Sequence, residues 1–255
     1  MNKTIFIAGP SASGKSTLSR RLASEIGFHW LDTGSVIRMT ALVMEQKGIK
    51  LPDSYEAAEE TLVPPWSVGE LDQTLDWPIF VNGELLEYDN PQLSNPKYDT
   101  STVFLARALR SRTWDLLELV SMIGQSVISC RQVPKKLIHY DEILPIYLNL
   151  SPQDRVLRRA IYENKEVDLD IVQRIVGKEV QNIYVGNLIS PESAADSNYV
   201  LVKNDGTLDR SAAQLLLEVI HKYQDFTPED YEYTLDKLQA TEKSLNHFTL
   251  WSELA

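Results

Sequence analysis

The chain has 255 residues, 43% of them hydrophobic and 24% charged, enough for one sizeable α/β core with or without a smaller appended domain. Asp and Glu outnumber Lys and Arg by 36 to 25, and the net charge of −11 opposes contact with a phosphate backbone, so no nucleic-acid partner is expected. The lone Cys130 excludes an intrachain disulfide and zinc sites of paired cysteines, and no apolar run approaches the ~18 residues of a membrane span, so no membrane partner is expected and the cytoplasm is the simplest compartment.

Residues 4–8 (TIFIA) are apolar and β-branched and predict a buried parallel strand. A glycine-bounded loop follows. Residues 17–26 place Leu18, Leu22 and Ile26 on one helical face, with Gly27 as a stop. Residues 28–31 predict a second strand, ending in Asp32-Thr33-Gly34, and 35–47 a second helix. Strand, loop, helix, strand, helix opens a right-handed βαβ fold. Prolines 52, 64, 65, 78 and 91 then interrupt the pattern. Ile79-Phe80-Val81 before Asn82-Gly83 signals a hairpin, because Asn-Gly supplies the positive φ angles of a type I′ turn. About 60–95 is therefore read as a small insert holding a hairpin or short antiparallel sheet.

A helical pattern returns over 101–122, and core strands are expected at 126–130 and 146–150. Ser151-Pro152 with Asp154 starts a helix that carries Arg155, Arg158 and Arg159. Residues 163–195 are polar and show no clear period. Residues 199–202 predict a last strand, and Asp205-Gly206 turns into a helix over 209–223. The acidic segment 225–255 fits either a docked helix or disorder. No internal repeat is visible.

Gly9-Pro10-Ser11-Ala12-Ser13-Gly14-Lys15-Ser16 fits G-x-x-x-x-G-K-[ST], and it lies between a predicted strand and a predicted helix, as a P-loop requires. The backbone of Gly9, Ser11, Ala12, Ser13, Gly14 and Thr17 is expected to converge on the phosphates of a nucleoside triphosphate, with the positive end of the helix behind it. Lys15 supplies a point charge for the β- and γ-phosphates, and the Ser16 hydroxyl is the expected Mg²⁺ ligand. The string LDTGSVIR (31–38) follows at the end of the second strand, on the face where open parallel sheets bind ligands. Asp32 can meet Mg²⁺ through water or orient an acceptor, Thr33 and Gly34 can meet a phosphate or sugar, and Arg38 can clamp an anion with two donors. Asp32-Thr33-Gly34 reads equally as a helix cap and turn.

GPSASGKST, spaced before LDTGSVIR, resembles the opening of the bacterial cytidylate kinases, a family of nucleoside monophosphate kinases. IFVNGE (79–84) resembles their monophosphate-binding insert, Ser101 and Arg110 match cytidylate contacts, DRVLRR (154–159) resembles the arginine-bearing helix before the lid, and NDGTLDRSAAQLLLEVI (204–220) the final loop and helix. The resemblance implies an α/β P-loop kinase fold: a parallel sheet with helices on both faces over a core of 1–223, the insert, a lid near 160–190, and an acidic extension over 224–255. It further implies ATP and Mg²⁺, a small nucleotide as partner, and transfer of the γ-phosphoryl to CMP, dCMP or a related acceptor. Lys15, Asp32, Arg155 and Arg159 are then the expected catalytic residues. Thr33, Gly34, Arg38, Ser101, Arg110 and Arg131 are the expected acceptor contacts.

The departures carry physical weight. The family's D-G-R-D string falls on Ser129-Cys130-Arg131-Gln132, where the arginine alone remains. Its lid pattern R-D-x-x-D-x-x-R falls near 180–187, where neither arginine and neither aspartate is found. An arginine that neutralises the transferring oxygens is worth ~10³–10⁵ in rate, so transfer needs compensation from Arg155, Arg158, Arg159 or Lys178. Lost base-reading carboxylates imply altered acceptor choice. A nucleotide-binding protein with little transfer activity is the second reading. Arg155, Arg158 and Arg159 in isolation read as a solvated face. Trp66 and Trp77 read as core or as base-stacking residues. Cys130 reads as a buried, inert thiol. The four histidines show no metal-ligand spacing.

Overall fold

The computed structural model describes residues 3–71, 74–95, 97–177, 179–180, 183, 188–204, 211, 214–215, 218–219 and 222–223. The expected extension over 224–255, most of the helix expected over 209–223, Lys178, and the positions of the lid pattern at 180–187 other than 180 and 183 lie outside the described residues. So does the side chain of Ser101.

In chain order β1 (Thr4–Ala8), α1 (Lys15–Ile26), β2 (His29–Asp32) and α2 (Thr33–Gln46) form the expected opening. The chain continues through α3 (Tyr55–Glu60), β3 (Trp66–Val68), β4 (Ile79–Val81) and β5 (Glu84–Leu85). Helices α4 (Lys97–Ala108) and α5 (Arg110–Ile123) lead to β6 (Ser126–Ser129) and β7 (Ile143–Asn149). Next come α6 (Pro152–Glu163) and α7 (Leu169–Val172), which runs into a π-helical turn at Gln173–Gly177. The described elements close with α8 (Pro191–Ala195) and β8 (Val200–Lys203).

β1, β2, β6, β7 and β8 pair side by side in the order β2-β6-β1-β7-β8, all parallel. β1 leads to β2 on one side and β6 leads to β7 on the other, so a crevice opens between the carboxyl ends of β1 and β6. Alternate side chains of β1 feed opposite faces: Phe6 and Ala8 pack with Val36, Leu105 and Leu117, whereas Ile5 and Ile7 pack with Leu18, Leu22 and Val219. The sheet is therefore covered on both sides, as its continuous apolar strands require.

β3, β4 and β5 form a separate antiparallel sheet. Asn82 and Gly83 turn between β4 and β5 with φ of 53° and 83°, the positive pair that a type I′ hairpin demands. Trp77 is fully buried, and its Nε1 donates to Ser126 Oγ at 3.0 Å. Trp66 Nε1 donates to Thr40 Oγ1 at 2.9 Å. Both tryptophans are thus tied into the packing, and base stacking does not fall to them.

Most boundaries fall within two residues of the sequence expectation, and two elements differ by more. The single helix expected over 101–122 is two helices divided at Leu109, with no glycine or proline to mark the break. β7 begins at Ile143, not 146, and carries Pro145. β8 pairs only from Ile146 onward, so one edge of β7 is open beside Pro145, and a residue without an N–H is tolerated there.

Arg155 fastens α6 to the sheet end. It is 1% exposed, donates to the Leu150 and Ser11 carbonyls at 3.3 Å each, and pairs with Glu179. A buried ion pair stripped of one partner leaves an uncompensated charge, at a cost of roughly 3–5 kcal/mol. Arg155→Leu is therefore expected to lower the thermal midpoint by ~10 °C. Calorimetric or fluorescence melts check this against Arg159→Ala, whose more exposed side chain should change the midpoint far less.

Candidate functional site: a basic cleft at the head of α1

The loop after β1 closes on itself through left-handed turns. Ala12 has φ 59° and Gly14 has φ 88°. A Cβ on Gly9 would meet the Leu148 carbonyl oxygen at 2.7 Å, and one on Gly14 would meet Asn204 Nδ2 at 2.5 Å, so the loop fits its place only with glycine at both. α1 begins without a side-chain cap, which leaves its first-turn N–H groups available to an anion in front of them. Asn204, at the end of β8, donates its amide to the Ser13 carbonyl at 2.6 Å and accepts from Ser211 Oγ at 2.7 Å. The Ser13 hydroxyl itself is buried with no hydrogen-bond partner.

Lys15 Nζ donates to the Pro10 carbonyl at 2.6 Å. Burial lowers its pKa to about 8; Asp32 opposes that shift, and Arg131 and Arg155 add to it. Asp32 ends β2 as a buried carboxylate. It caps α2 by accepting from Gly34 N at 3.2 Å and Ser35 Oγ at 2.7 Å, and it meets Arg38 at 3.3 Å. Asp32-Thr33-Gly34 forms the helix cap and turn, and the same carboxylate acts electrostatically on Lys15. A Cβ on Gly34 would stand 3.2 Å from Arg38 and 3.4 Å from Asp32, between the partners of that pair. The Thr33 hydroxyl donates to the Ser129 carbonyl at 3.0 Å, so its proton is committed to the sheet and not to a ligand.

Ser101 aside, whose side chain lies outside the described residues, all of the residues expected at the site line one cavity of about 710 Å³ except Ser13 and Arg155. Arg155 is the correction among the catalytic expectations. Each of its nitrogens faces protein, because it lies on the inner side of α6 and ties the loop carbonyl of Ser11 to Glu179. The cavity side of α6 carries Arg158, Arg159 and Tyr162 instead. Arg158 Nη1 lies 3.5 Å from where a Gly14 Cβ would stand, and the same side chain donates to the Asn204 carbonyl.

The π-helical turn contributes a residue that the sequence reading missed. Arg174 lines the cavity and donates to both carboxylate oxygens of Glu163, at 2.7 and 2.8 Å, and to Asp170 at 2.8 Å. Arg159 also donates to Glu163. Arg174, then Arg159, holds the Glu163 carboxyl down at about 2. The polar stretch 163–195 hid Arg174 because a π-turn breaks the 3.6-residue period by which its face would be recognised. Trp114 was missed too, although Arg110, Thr113, Trp114 and Leu117 stand at i, i+3, i+4 and i+7 of α5 and all line the cavity. Cys130 lines it as well, buried and pushed up to about 12 by that burial, which makes it a poor nucleophile.

The residues present suit a triphosphate and Mg²⁺. The uncapped helix start and the lysine are suited to phosphate oxygens. The Ser16 hydroxyl and the Asp32 carboxylate offer hard oxygen donors near the loop, in the small number that Mg²⁺ takes from protein beside phosphates. Among the described residues no group of three His, Cys, Asp or Glu side chains could form a metal cage. No helix of the described residues is long and apolar enough to cross a membrane.

A family model described as Cytidylate kinase matches residues 5–182. A cytidylate kinase of Herpetosiphon aurantiacus is 28% identical over 232 residues, covering 85% of this chain and 93% of the relative. One from Pelotomaculum thermopropionicum is 30% identical over 157 residues, covering 61% and 67%. Among solved structures, a gluconokinase from Sinorhizobium meliloti aligns over 98% of this chain and 99% of its own with a TM-score of 0.41 at 14% identity. The family match runs from β1 past the π-helical turn, well over half of the chain, and the chain therefore belongs to the cytidylate kinase family as a nucleoside monophosphate kinase-like phosphotransferase.

Proposed function

We propose that the protein transfers the γ-phosphoryl of ATP to CMP, dCMP or a closely related nucleotide seated between α2 and α5. One observation carries this reading: a single cavity joins the loop at the head of α1 to an arginine-lined slot, with Arg158, Arg159 and Arg174 between them on the lid side. In a chain of net charge −11 such a concentration of cations is a specific arrangement for anions. Phosphoryl transfer asks for little beyond this, because positioning and neutralisation of the transferring oxygens supply most of the catalysis.

In this reading Lys15 and the loop N–H groups hold the triphosphate. Ser16 and Asp32 would hold and orient Mg²⁺, which would supply neutralisation of phosphate charge. Arg38, Arg110 and Arg131 hold the acceptor, whose phosphate lies toward Gly34. Arg158, Arg159 and Arg174 meet the oxygens in transit and take the place of the arginines missing from 180–187. Closure of this side over the cleft excludes water that would otherwise accept the phosphoryl. The survival of these cations favours transfer over nucleotide binding alone.

Incubation with ATP, Mg²⁺ and a panel of nucleoside monophosphates, nucleosides and small alcohols should give ADP only with a nucleoside monophosphate, and Lys15→Ala should abolish it. Tight ATP binding without turnover on any acceptor would sink the proposal. Arg174→Ala should lower kcat by about 10²–10³ with a much smaller change in KM, the mark of an interaction made in the transition state; a rise in the ATP or acceptor KM with kcat kept would place Arg174 in binding alone.

The lowered pKa of Lys15 gives a pH signature. Above about 8 the free protein carries this amine largely neutral, while a bound triphosphate favours the ammonium. ATP binding at pH 8.5–9 should therefore take up close to one proton and weaken as pH rises, whereas at pH 7 uptake should be slight. Titration calorimetry in buffers of different ionisation enthalpy measures it, and Lys15→Arg, charged throughout, should show none.

A further inference from the structure

The acceptor end of the cavity holds polar groups that a phosphate clamp does not use. On α5 the Thr113 hydroxyl is buried without a hydrogen-bond partner, although it lines the cavity. A hydroxyl left so is costly unless a ligand completes it. Gln132, past the end of β6, lines the same cavity and brings a carboxamide that both donates and accepts. Trp114, Leu117, Ile37 and Ala106 supply an aromatic and aliphatic wall, which suits the faces of a planar ring better than a hydroxylated chain.

The acids are placed otherwise. Among the described residues lining the cavity they are Asp32 and Glu179. Asp32 is held by the start of α2 and by Arg38, and Glu179 is held by Arg155. Among the described residues lining the cavity no carboxylate is left for the exocyclic amino group of a base, while the Thr113 hydroxyl and the Gln132 amide can both donate. A ring amino group brings two more donors to such a place. A ring carbonyl brings acceptors, and the N–H beside it finds the Gln132 carbonyl.

From this balance we propose that the slot takes oxo-pyrimidine nucleotides, binding a uracil monophosphate at least as well as a cytosine one, with Gln132 and Thr113 as the residues that set the choice. This rests on the reading of the cavity as a monophosphate acceptor site. Gln132 accepts either ring edge by turning its amide, and the unpartnered Thr113 hydroxyl, whose proton needs an acceptor, tips the preference toward the carbonyl.

Equilibrium binding of UMP and of CMP to the full chain, measured by calorimetry without ATP, tests it. The expected dissociation constant for UMP is equal to or below that for CMP. Gln132→Glu, of the same shape but without donors, should shift the ratio toward CMP by tenfold or more, since a carboxylate meets a ring carbonyl with repulsion. Thr113→Val should weaken UMP several-fold without lowering the thermal midpoint, because it deletes an unpaired hydroxyl; a purely structural threonine would lower the midpoint and leave the ratio unmoved. CMP bound more than tenfold tighter than UMP, or neither nucleotide bound, overturns the inference. ADP formation read in parallel separates the two proposals: absent turnover with UMP bound removes the transfer reading alone.

Discussion

The structure depends on holding a cluster of like charges around a backbone turn inside an acidic protein. The loop from Gly9 to Ser16 points amides and a lysine into one crevice, and such a crevice repels itself until an anion fills it. Three separate parts of the chain hold it open. β7 presses the Leu148 carbonyl against Gly9, β8 delivers Asn204 to the Ser13 carbonyl, and α6 sends Arg155 to the Ser11 carbonyl. The order β2-β6-β1-β7-β8 is what brings these elements to one end of β1. Sheet topology and phosphate site are in this sense one construction.

The arginines of α6 stand at spacings that share a helical face, and their surroundings divide them: Arg155 is enclosed and becomes a strut, while Arg158 and Arg159, three and four residues on, reach the cavity. One residue type at neighbouring positions thus serves two ends, and the difference lies in what each finds within reach. Arg155 finds carbonyls and Glu179; Arg159 finds Glu163 and, 5.6 Å away, the ring of Tyr162 at the cavity mouth.

Much of this was legible in residue order. GPSASGKS places a strand before it and a helix behind it, and Asn82-Gly83 dictates its own hairpin, because both depend on backbone geometry that few residues allow. Asp32 was legible as a cap from local spacing. Long-range burial was not legible. Arg155 and Arg159 look alike in the sequence, and which of them is enclosed depends on Ser11, 144 positions earlier. Trp66 and Trp77 flank the small sheet and invite a ligand, yet Thr40 and Ser126 take their N–H groups. Trp114 lay on a readable helical face, but the face acquires meaning only once α2 stands opposite. Arg174 sits on a turn whose winding no period announces.

Glu163 has a consequence of its own. It receives Arg159 and Arg174 at once, and Lys165 lies 3.5 Å away. A phosphate that recruits Arg174 therefore does not draw it out of water. It exchanges one anion for another, with the guanidinium already stripped of much of its hydration and already oriented. Such a swap is nearly balanced in both directions, so the same carboxylate that lends the cation can take it back, and the site is returned to its starting charge when the product leaves.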